Sequence, residues 1–340
     1  MSRFLPEPAL PYTRQNKTAV LLLNLGTPEA PTAEAVKPYL REFLSDTRVV
    51  ELPKLLWQPI LHGLVLTLRP KKSARAYQKI WLDKGSPLAV YTERQAELLA
   101  DKLPNNIIVR HAMTYGQPSV ANVLAELKSE GVAQVLVIPL YPQYAASSSG
   151  AALDKVFEQI LKQRNQMSVR TIARFYDDAR YISAMKNHIE AFWSQNGRGQ
   201  KLMLSFHGIP QKNHDEGDPY PNECYRTAEL LATELSLTEN DYIVSFQSQF
   251  GKAKWIKPST QALFDELPKQ GVTELDVFCP GFVSDCLETM EELAIEGREQ
   301  FYEAGGKQFQ YIPCLNANPD WIDALAGLAK RHLEGWCTAI

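Results

Sequence analysis

The sequence predicts an α/β protein made of two similar, doubly wound, Rossmann-like domains with parallel sheets. Three observations carry that expectation. Short runs rich in Val, Ile and Leu alternate with segments of helical period along most of the 340 residues. Those runs are continuously apolar rather than alternating, as strands buried on both faces and joined by crossover helices must be. The order of elements in the first half then recurs in the second, as in a duplicated chain. Length alone also favours two cores over one.

Taken in order, the first clear strand covers 19–24 and ends in Leu25-Gly26-Thr27-Pro28. A β-like run then leads to Tyr115-Gly116, a helix follows, and Gly131-Val132 opens a strand over 134–140. The second half begins with a strand over 201–206 that ends in His207-Gly208-Ile209-Pro210. Phe250-Gly251 follows, then a helix, Gly271-Val272 and a strand over 274–279. The expected domains are 17–165 and 166–318, with a C-terminal helix over 319–336 packing on the first.

The halves differ in one spacing. Gly26 and Gly116 are 90 residues apart, whereas Gly208 and Gly251 are 43 apart, so the first half holds an insertion of about 47 residues near 50–95. It contains Leu55-Leu56-Trp57-Gln58-Pro59-Ile60-Leu61, Leu64-Val65-Leu66 and the basic Arg69-Pro70-Lys71-Lys72. Such a segment either forms an apolar lip edged with cations, suited to a flat acidic ligand or a membrane surface, or packs its apolar face against the body.

Composition excludes several function classes. With 36 basic and 39 acidic residues the net charge is −3, against a nucleic-acid surface. The N-terminus lacks the apolar run of a secretory signal, and the apolar stretch 55–68 is broken by Gln58, Pro59, His62 and Gly63, too short to span a bilayer. Five scattered cysteines (Cys224, Cys279, Cys286, Cys314, Cys337) form no CxxC pair, so the chain reads as cytoplasmic, without a disulfide framework.

Ligands of open parallel sheets bind beyond the carboxyl ends of the strands. The loops so selected are 25–28, 141–150, 207–210 and 280–288, and none carries a phosphate-binding glycine motif. Ser147, Ser148 and Ser149 precede a helix near Ala151; they either cradle an anion or cap that helix. His207 stands just past a buried strand, in a turn fixed by Gly208 and Pro210. A lone histidine is usually structural, but this place suits an acid–base group. If residues 285–296 form one α-helix, Glu288, Glu292 and Glu296 share a stripe. That stripe is either a solvated face or a carboxylate ladder for a hard divalent cation.

These segments resemble the ferrochelatase family from about Thr18 to Ala329. The resemblance rests on Leu23-Asn24-Leu25-Gly26-Thr27-Pro28, Lys84-Gly85-Ser86-Pro87-Leu88, Tyr141-Pro142-Gln143-Tyr144 and Leu204-Ser205-Phe206-His207-Gly208-Ile209-Pro210. It continues through Gly217-Asp218-Pro219-Tyr220-Pro221, Phe246-Gln247-Ser248-Gln249-Phe250-Gly251, Trp255, and Pro280-Gly281-Phe282 to Glu288-Thr289. The resemblance implies a two-lobed chelatase with a porphyrin cleft between its domains. It places the active-site histidine at His207 and its partner glutamate at Glu288, both also candidate metal ligands. It puts Asp285, Glu292 and Glu296 on a metal path and Leu25, Ser86, Tyr144 and Trp255 around the porphyrin. The insertion becomes the lip over which porphyrin enters, with a peripheral membrane contact there. Two departures stand out: Thr114 replaces a basic residue, leaving Arg110 or the insertion's cations for propionates, and Cys286 replaces a second histidine. With only Cys337 in the tail, no iron–sulfur cluster is expected and Fe²⁺ is a substrate rather than a bound cofactor.

The implied reaction exchanges two pyrrole protons for Fe²⁺, with protoporphyrin IX or coproporphyrin III as substrate. Neutral imidazole suits the proton acceptor, and imidazole with carboxylate suits iron delivery without thiolate trapping. A cobalt or nickel chelatase shares this plan, and a non-catalytic haem or iron carrier is the reading from a different class.

Overall fold

The structure is a computed structural model, and it describes residues 4, 17–249, 251 and 253–336. Two four-stranded sheets organise it. The first contains β1 (Lys17–Asn24), β2 (Ile107–Met113), β3 (Val132–Pro139) and β4 (Ser168–Thr171), in the order β2-β1-β3-β4 with every pair parallel. The second contains β5 (Lys201–His207), β6 (Tyr242–Gln247), β7 (Glu274–Phe278) and β8 (Gln308–Tyr311), in the matching order β6-β5-β7-β8, again parallel. The leucines of β1 and the Leu202–Leu204 run of β5 are buried, as central strands covered on both faces require.

The register shows how closely the plans agree. Asn24 of β1 stands opposite Met113, and Phe206 of β5 opposite Phe246. Met113 and Phe246 each bridge to a serine, Ser119 and Ser259, that caps the following helix by accepting the N–H of Asn122 or Ala262. That register puts Leu25 and His207 at equivalent strand ends.

The chain divides into two compact units: Met1–Leu140 with Ala146–Arg174 and Ile322–Ile340, and Tyr141–Ala145 with Phe175–Trp321. The boundary expected at 165 therefore lies beyond 174, because β4 pairs with β3 and completes the first sheet. Tyr141–Ala145 belongs with the second unit because Gln143 donates to Thr227 Oγ1 and Tyr144 N–H donates to the Glu223 carboxylate. In the first unit, Lys102 pairs with Asp323, and the Arg170 guanidinium donates to the carbonyls of His332 and Glu334. The helix Pro319–Leu333 closes the described chain, and Cys337 lies outside the described residues.

The inserted segment of the first unit runs through helices Lys54–Ile60 and Leu66–Ile80, joined by a π-helical turn over Leu61–Val65. Leu61, Leu66, Pro70, Ala74, Tyr77 and Ile80 face inward and are buried. Leu55, Leu56, Leu64 and Leu68 face outward, Leu55 being 91% exposed. Packing against the body accounts for one set of apolar residues only; the other forms an exposed lip beside Arg69, Lys71 and Lys72, which are also exposed.

Candidate active site

His207 is the last residue of β5 and is half-buried. Its ring is fixed from behind: Nδ1 lies 2.6 Å from the Gly208 carbonyl oxygen. A carbonyl only accepts, so Nδ1 carries the proton and Nε2 is left with the lone pair. Gly208 is required here, because a Cβ would stand 2.7 Å from the Gln247 carbonyl oxygen and 3.3 Å from the Trp255 ring. Gly208 N–H donates to that carbonyl at 2.8 Å, and Pro210 bridges to Trp255. The base, the turn and the tryptophan are thus one local assembly.

The acidic segment departs from the expected single α-helix. One α-turn, Leu287–Thr289, is followed by a π-helix over Met290–Gly297 and then by an α-helix over Arg298–Glu303. The i→i+5 bonding of a π-helix widens the turn, and residues four apart still fall nearly one turn apart, on the same side. Glu288 and Glu292 are half-buried and Glu296 is exposed. Among the described residues no group of three or more His, Cys, Asp and Glu side chains is placed to hold a metal ion.

Each acidic residue has its own setting. The Asp285 carboxylate is buried and accepts from Tyr311 Oη (2.5 Å), Thr289 Oγ1 (3.2 Å), Cys314 N (3.3 Å) and Asn316 Nδ2 (2.6 Å). Its oxygens are thus held by four protein donors. Cys286, buried, caps the turn through a reciprocal pair with Thr289. Its thiol is held well above the usual range by burial and by the neighbouring Glu288 carboxylate, to which it is hydrogen-bonded. The Glu292 carboxylate accepts from Ser248 N (2.7 Å), Ser248 Oγ (2.5 Å) and Gln261 Nε2 (2.5 Å). Burial raises its carboxyl above the ordinary value; the Ser248 bonds and His207 oppose that rise, and Glu288 adds to it. His207, Glu288 and Glu292 therefore act on one another electrostatically, and with Trp255 they are the predicted site residues gathered in the second unit.

Tyr144 also lies in the second unit, half-buried, its backbone held by buried Glu223. Leu25 and Ser86 lie in the first unit. Leu25 is half-buried, its carbonyl accepting from Tyr115 N. Ser86 is buried and caps the helix Pro87–Lys102 by accepting Ala89 N–H. The serines 147–149 neither cap a helix as expected nor stand in an open loop: Ala146–Gly150 forms a π-helical turn continuous with the helix Ala151–Ile160. Thr114 is buried and donates to the Asn24 carbonyl, while Arg110 is paired with Glu130. Sequence reasoning gave Gln247 and Ser248 no site role, although both lie in the 246–251 segment that carries the resemblance.

The fold and the whole length have counterparts among known proteins. SirB from Bacillus subtilis, solved with Fe³⁺, superposes with a TM-score of 0.56 at 13% identity, covering 93% of this chain and 95% of that one. CbiX, described as the terminal enzyme for biosynthesis of sirohaem in denitrifying bacteria, superposes at 0.51 with 15% identity over 94% and 100% of the two chains. At those identities the likeness concerns the fold alone. In sequence, the ferrochelatase of Neisseria gonorrhoeae is 74% identical over 336 residues, 99% of this chain and 100% of that protein. The ferrochelatase of Chromobacterium violaceum is 49% identical over 340 residues, 99% and 93% of the two chains. The sequence model of the ferrochelatase family matches residues 17–333, and the chain belongs to that family.

Proposed function

We propose that this protein inserts ferrous iron into protoporphyrin IX to give protohaem, with release of the two pyrrole protons. The observation that carries the reading is the His207 ring: its Nδ1 proton is committed to the Gly208 carbonyl, which leaves Nε2 as a base beside the Glu288 turn. In this reading His207 takes pyrrole protons or transiently ligates the metal, and Glu288 ligates the metal or relays protons. Nitrogen with carboxylate oxygen binds ferrous iron well enough to deliver it and weakly enough to release it. Trp255 and Tyr144, both half-buried in the second unit, offer surface for the macrocycle, and Leu25, half-buried just past β1, is a separate candidate contact in the first. Holding the ring bent against such surfaces would expose its nitrogen lone pairs, binding elsewhere on the ring sustaining the distortion. Ser86 contributes through the helix it caps.

Along the metal path the role falls to Glu288, with Glu292 as a fixed charge, Glu296 at the exposed end and Asp285 as the anchor of the turn. Iron enters as substrate, and no resident cofactor is proposed. A coproporphyrin substrate would bring four propionates; the commitment of Arg110 to Glu130 and of Thr114 to a carbonyl favours the less acidic protoporphyrin. The proposed compartment is the cytoplasm, with no nucleic-acid partner. Exposed leucines and flanking cations support a peripheral membrane contact at the lip, and no helix among the described residues is long and apolar enough to cross a membrane.

The test is anaerobic incubation of the protein with protoporphyrin IX and Fe²⁺, following the visible porphyrin bands. The wild type should turn over, and His207→Ala and Glu288→Gln should lose turnover while still binding porphyrin. Near-normal insertion by His207→Ala would remove it from the chemistry. Tight porphyrin or haem binding without any turnover would favour a carrier.

A further inference from the structure

Gln247 ends β6 and is fully buried, yet it belongs to neither the proton-transfer nor the metal-binding assignment. Its backbone stands opposite His207 in the sheet register, and its carbonyl accepts the N–H of Gly208 at 2.8 Å. Gly208 is the residue whose own carbonyl holds His207 Nδ1. The other end of Gln247 points the opposite way: side-chain Nε2 donates to the backbone carbonyl of Glu288 at 2.8 Å. One residue therefore joins the turn behind the base to the turn that carries the carboxylate.

The orientation of the amide is fixed by its surroundings. Oε1 accepts from Ser205 Oγ at 2.8 Å, with Cys279 Sγ at 3.9 Å. Ser205 lies 2.9 Å from Thr260 Oγ1, which in turn contacts Ser245 Oγ at 2.8 Å. All three hydroxyl residues are fully buried. Hydroxyl and thiol hydrogens thus fill the Oε1 side, and a flipped amide would set its N–H₂ against Ser205 and its oxygen against the Glu288 carbonyl. Glu288 sits in the first turn of a helical stretch that continues as a π-helix from Met290, where backbone carbonyls have not all been claimed by the helix, and Gln247 fixes one of them.

We infer that Gln247 is a positioning residue that sets the separation between the His207 imidazole and the Glu288 carboxylate. The inference rests on the proposed function, because it matters only if those two groups act together. Ser205 acts behind it by holding the amide in register.

The experiment compares wild type, Gln247→Met and Ser205→Ala in anaerobic Fe²⁺ insertion, with porphyrin affinity from fluorescence quenching and thermal midpoints measured alongside. Methionine keeps the length and loses the donor. Misplacing a catalytic group by an ångström costs on the order of 100-fold in rate. Gln247→Met should therefore lower kcat by about 30- to 100-fold while the porphyrin Kd stays within about twofold. Ser205→Ala, losing one neutral hydrogen bond, should lower kcat by about fivefold with the same split. A kcat within threefold of wild type for Gln247→Met overturns the inference, as does a parallel loss of porphyrin affinity, which would mark general loosening of the fold. If Gln247→Met does not fold at the assay temperature, Ser205→Ala decides, and an unchanged kcat there is equally fatal. Absence of turnover in the wild type would remove the functional reading itself, and this inference with it.

Discussion

Asp285 separates two accounts of the acidic segment, because a metal-path residue and a structural anchor respond differently to the same substitution. Its buried carboxylate has four protein donors, two from the backbone and side chain of residues 314 and 316 and two from the hydroxyls of Thr289 and Tyr311. In Asp285→Ala the hydroxyls have substitutes, since Thr289 also lies 3.3 Å from the Cys286 carbonyl and Tyr311 lies 3.6 Å from Cys314 Sγ. Cys314 N–H and Asn316 Nδ2 lose this acceptor as well. A buried donor deprived of its acceptor costs about 1–3 kcal/mol. Asp285→Asn keeps one acceptor and turns an N–H₂ toward either Asn316 or the other donors. Asn316 cannot simply flip to accommodate it, because its Oδ1 already accepts Asp285 N–H at 2.8 Å and its backbone sits at φ +50°. About 2–3 kcal/mol is therefore expected for the amide.

For a unit of roughly 150 residues, each kcal/mol moves the thermal midpoint by about 2–4 °C, so Asp285→Asn should melt about 5–10 °C lower and Asp285→Ala lower still. Circular dichroism on the substrate-free protein reads this directly. Initial rates at least 15 °C below each midpoint, roughly where most molecules remain folded, should show the KM for iron little changed. An unaltered midpoint with a KM for Fe²⁺ raised tenfold or more would refute the reasoning and restore Asp285 to the metal path.

Three further outcomes follow from the same kind of reading. Gly297→Ala places a Cβ 2.6 Å from Cε2 and 3.0 Å from Cζ of buried Phe264, so overpacking should destabilise by about 1–3 kcal/mol, and Phe264→Leu should recover much of it in urea titrations. Burial holds the Asp276 carboxyl above its usual range, its bonds from Gly199 N, Gln310 and Trp193 only partly opposing this. A raised folded-state pKa contributes stability that is full below about pH 3.9 and is lost as pH rises through the folded value; the deficit of Asp276→Asn against wild type should therefore shrink from pH 4 toward neutrality. Leu55→Asp with Leu56→Asp should leave the urea midpoint within about 0.5 kcal/mol of wild type, since both side chains are exposed, but should reduce sedimentation with anionic lipid vesicles; unchanged binding would remove the lip as a membrane contact.

The central strands were legible because burial on both faces leaves a mark in the residues themselves. β1, β3, β5 and β7 are mostly apolar, β7 being interrupted by Asp276, and their ends fell within a few residues of the expected ones. The flanking strands carry Arg110 and His111 in β2 and Arg170 in β4, because an edge strand keeps part of its surface wet, and no apolar run announces it. β4 was overlooked for that reason, and with it the boundary beyond 174. His207 was legible from its place at a strand end. The π-helical hydrogen bonding after Met290 was not, because no local spacing announces it. Gly297 packs closely on Phe264, 33 residues earlier in the chain, and Asp285 is held by residues 26–31 positions away. Contacts of that range have no signature in a local pattern.

The duplicated frame explains where groups can stand, and the residues placed on it explain why the chemistry is unequal. Leu25 and His207 occupy equivalent strand ends, each followed by a glycine against the neighbouring strand's exit. In the first unit that exit is Thr114-Tyr115, whose threonine turns back to the Asn24 carbonyl and whose tyrosine hydroxyl donates to the Asp46 carboxylate. In the second it is Gln247-Ser248, whose amide and hydroxyl reach forward to Glu288 and Glu292. The same backbone thus carries a leucine followed by a tyrosine-held aspartate in one unit and a histidine with Glu288 and Glu292 in the other. It is the pairing of His207 with Gln247 across the sheet, more than the histidine alone, that makes the second strand end suited to proton transfer and metal delivery.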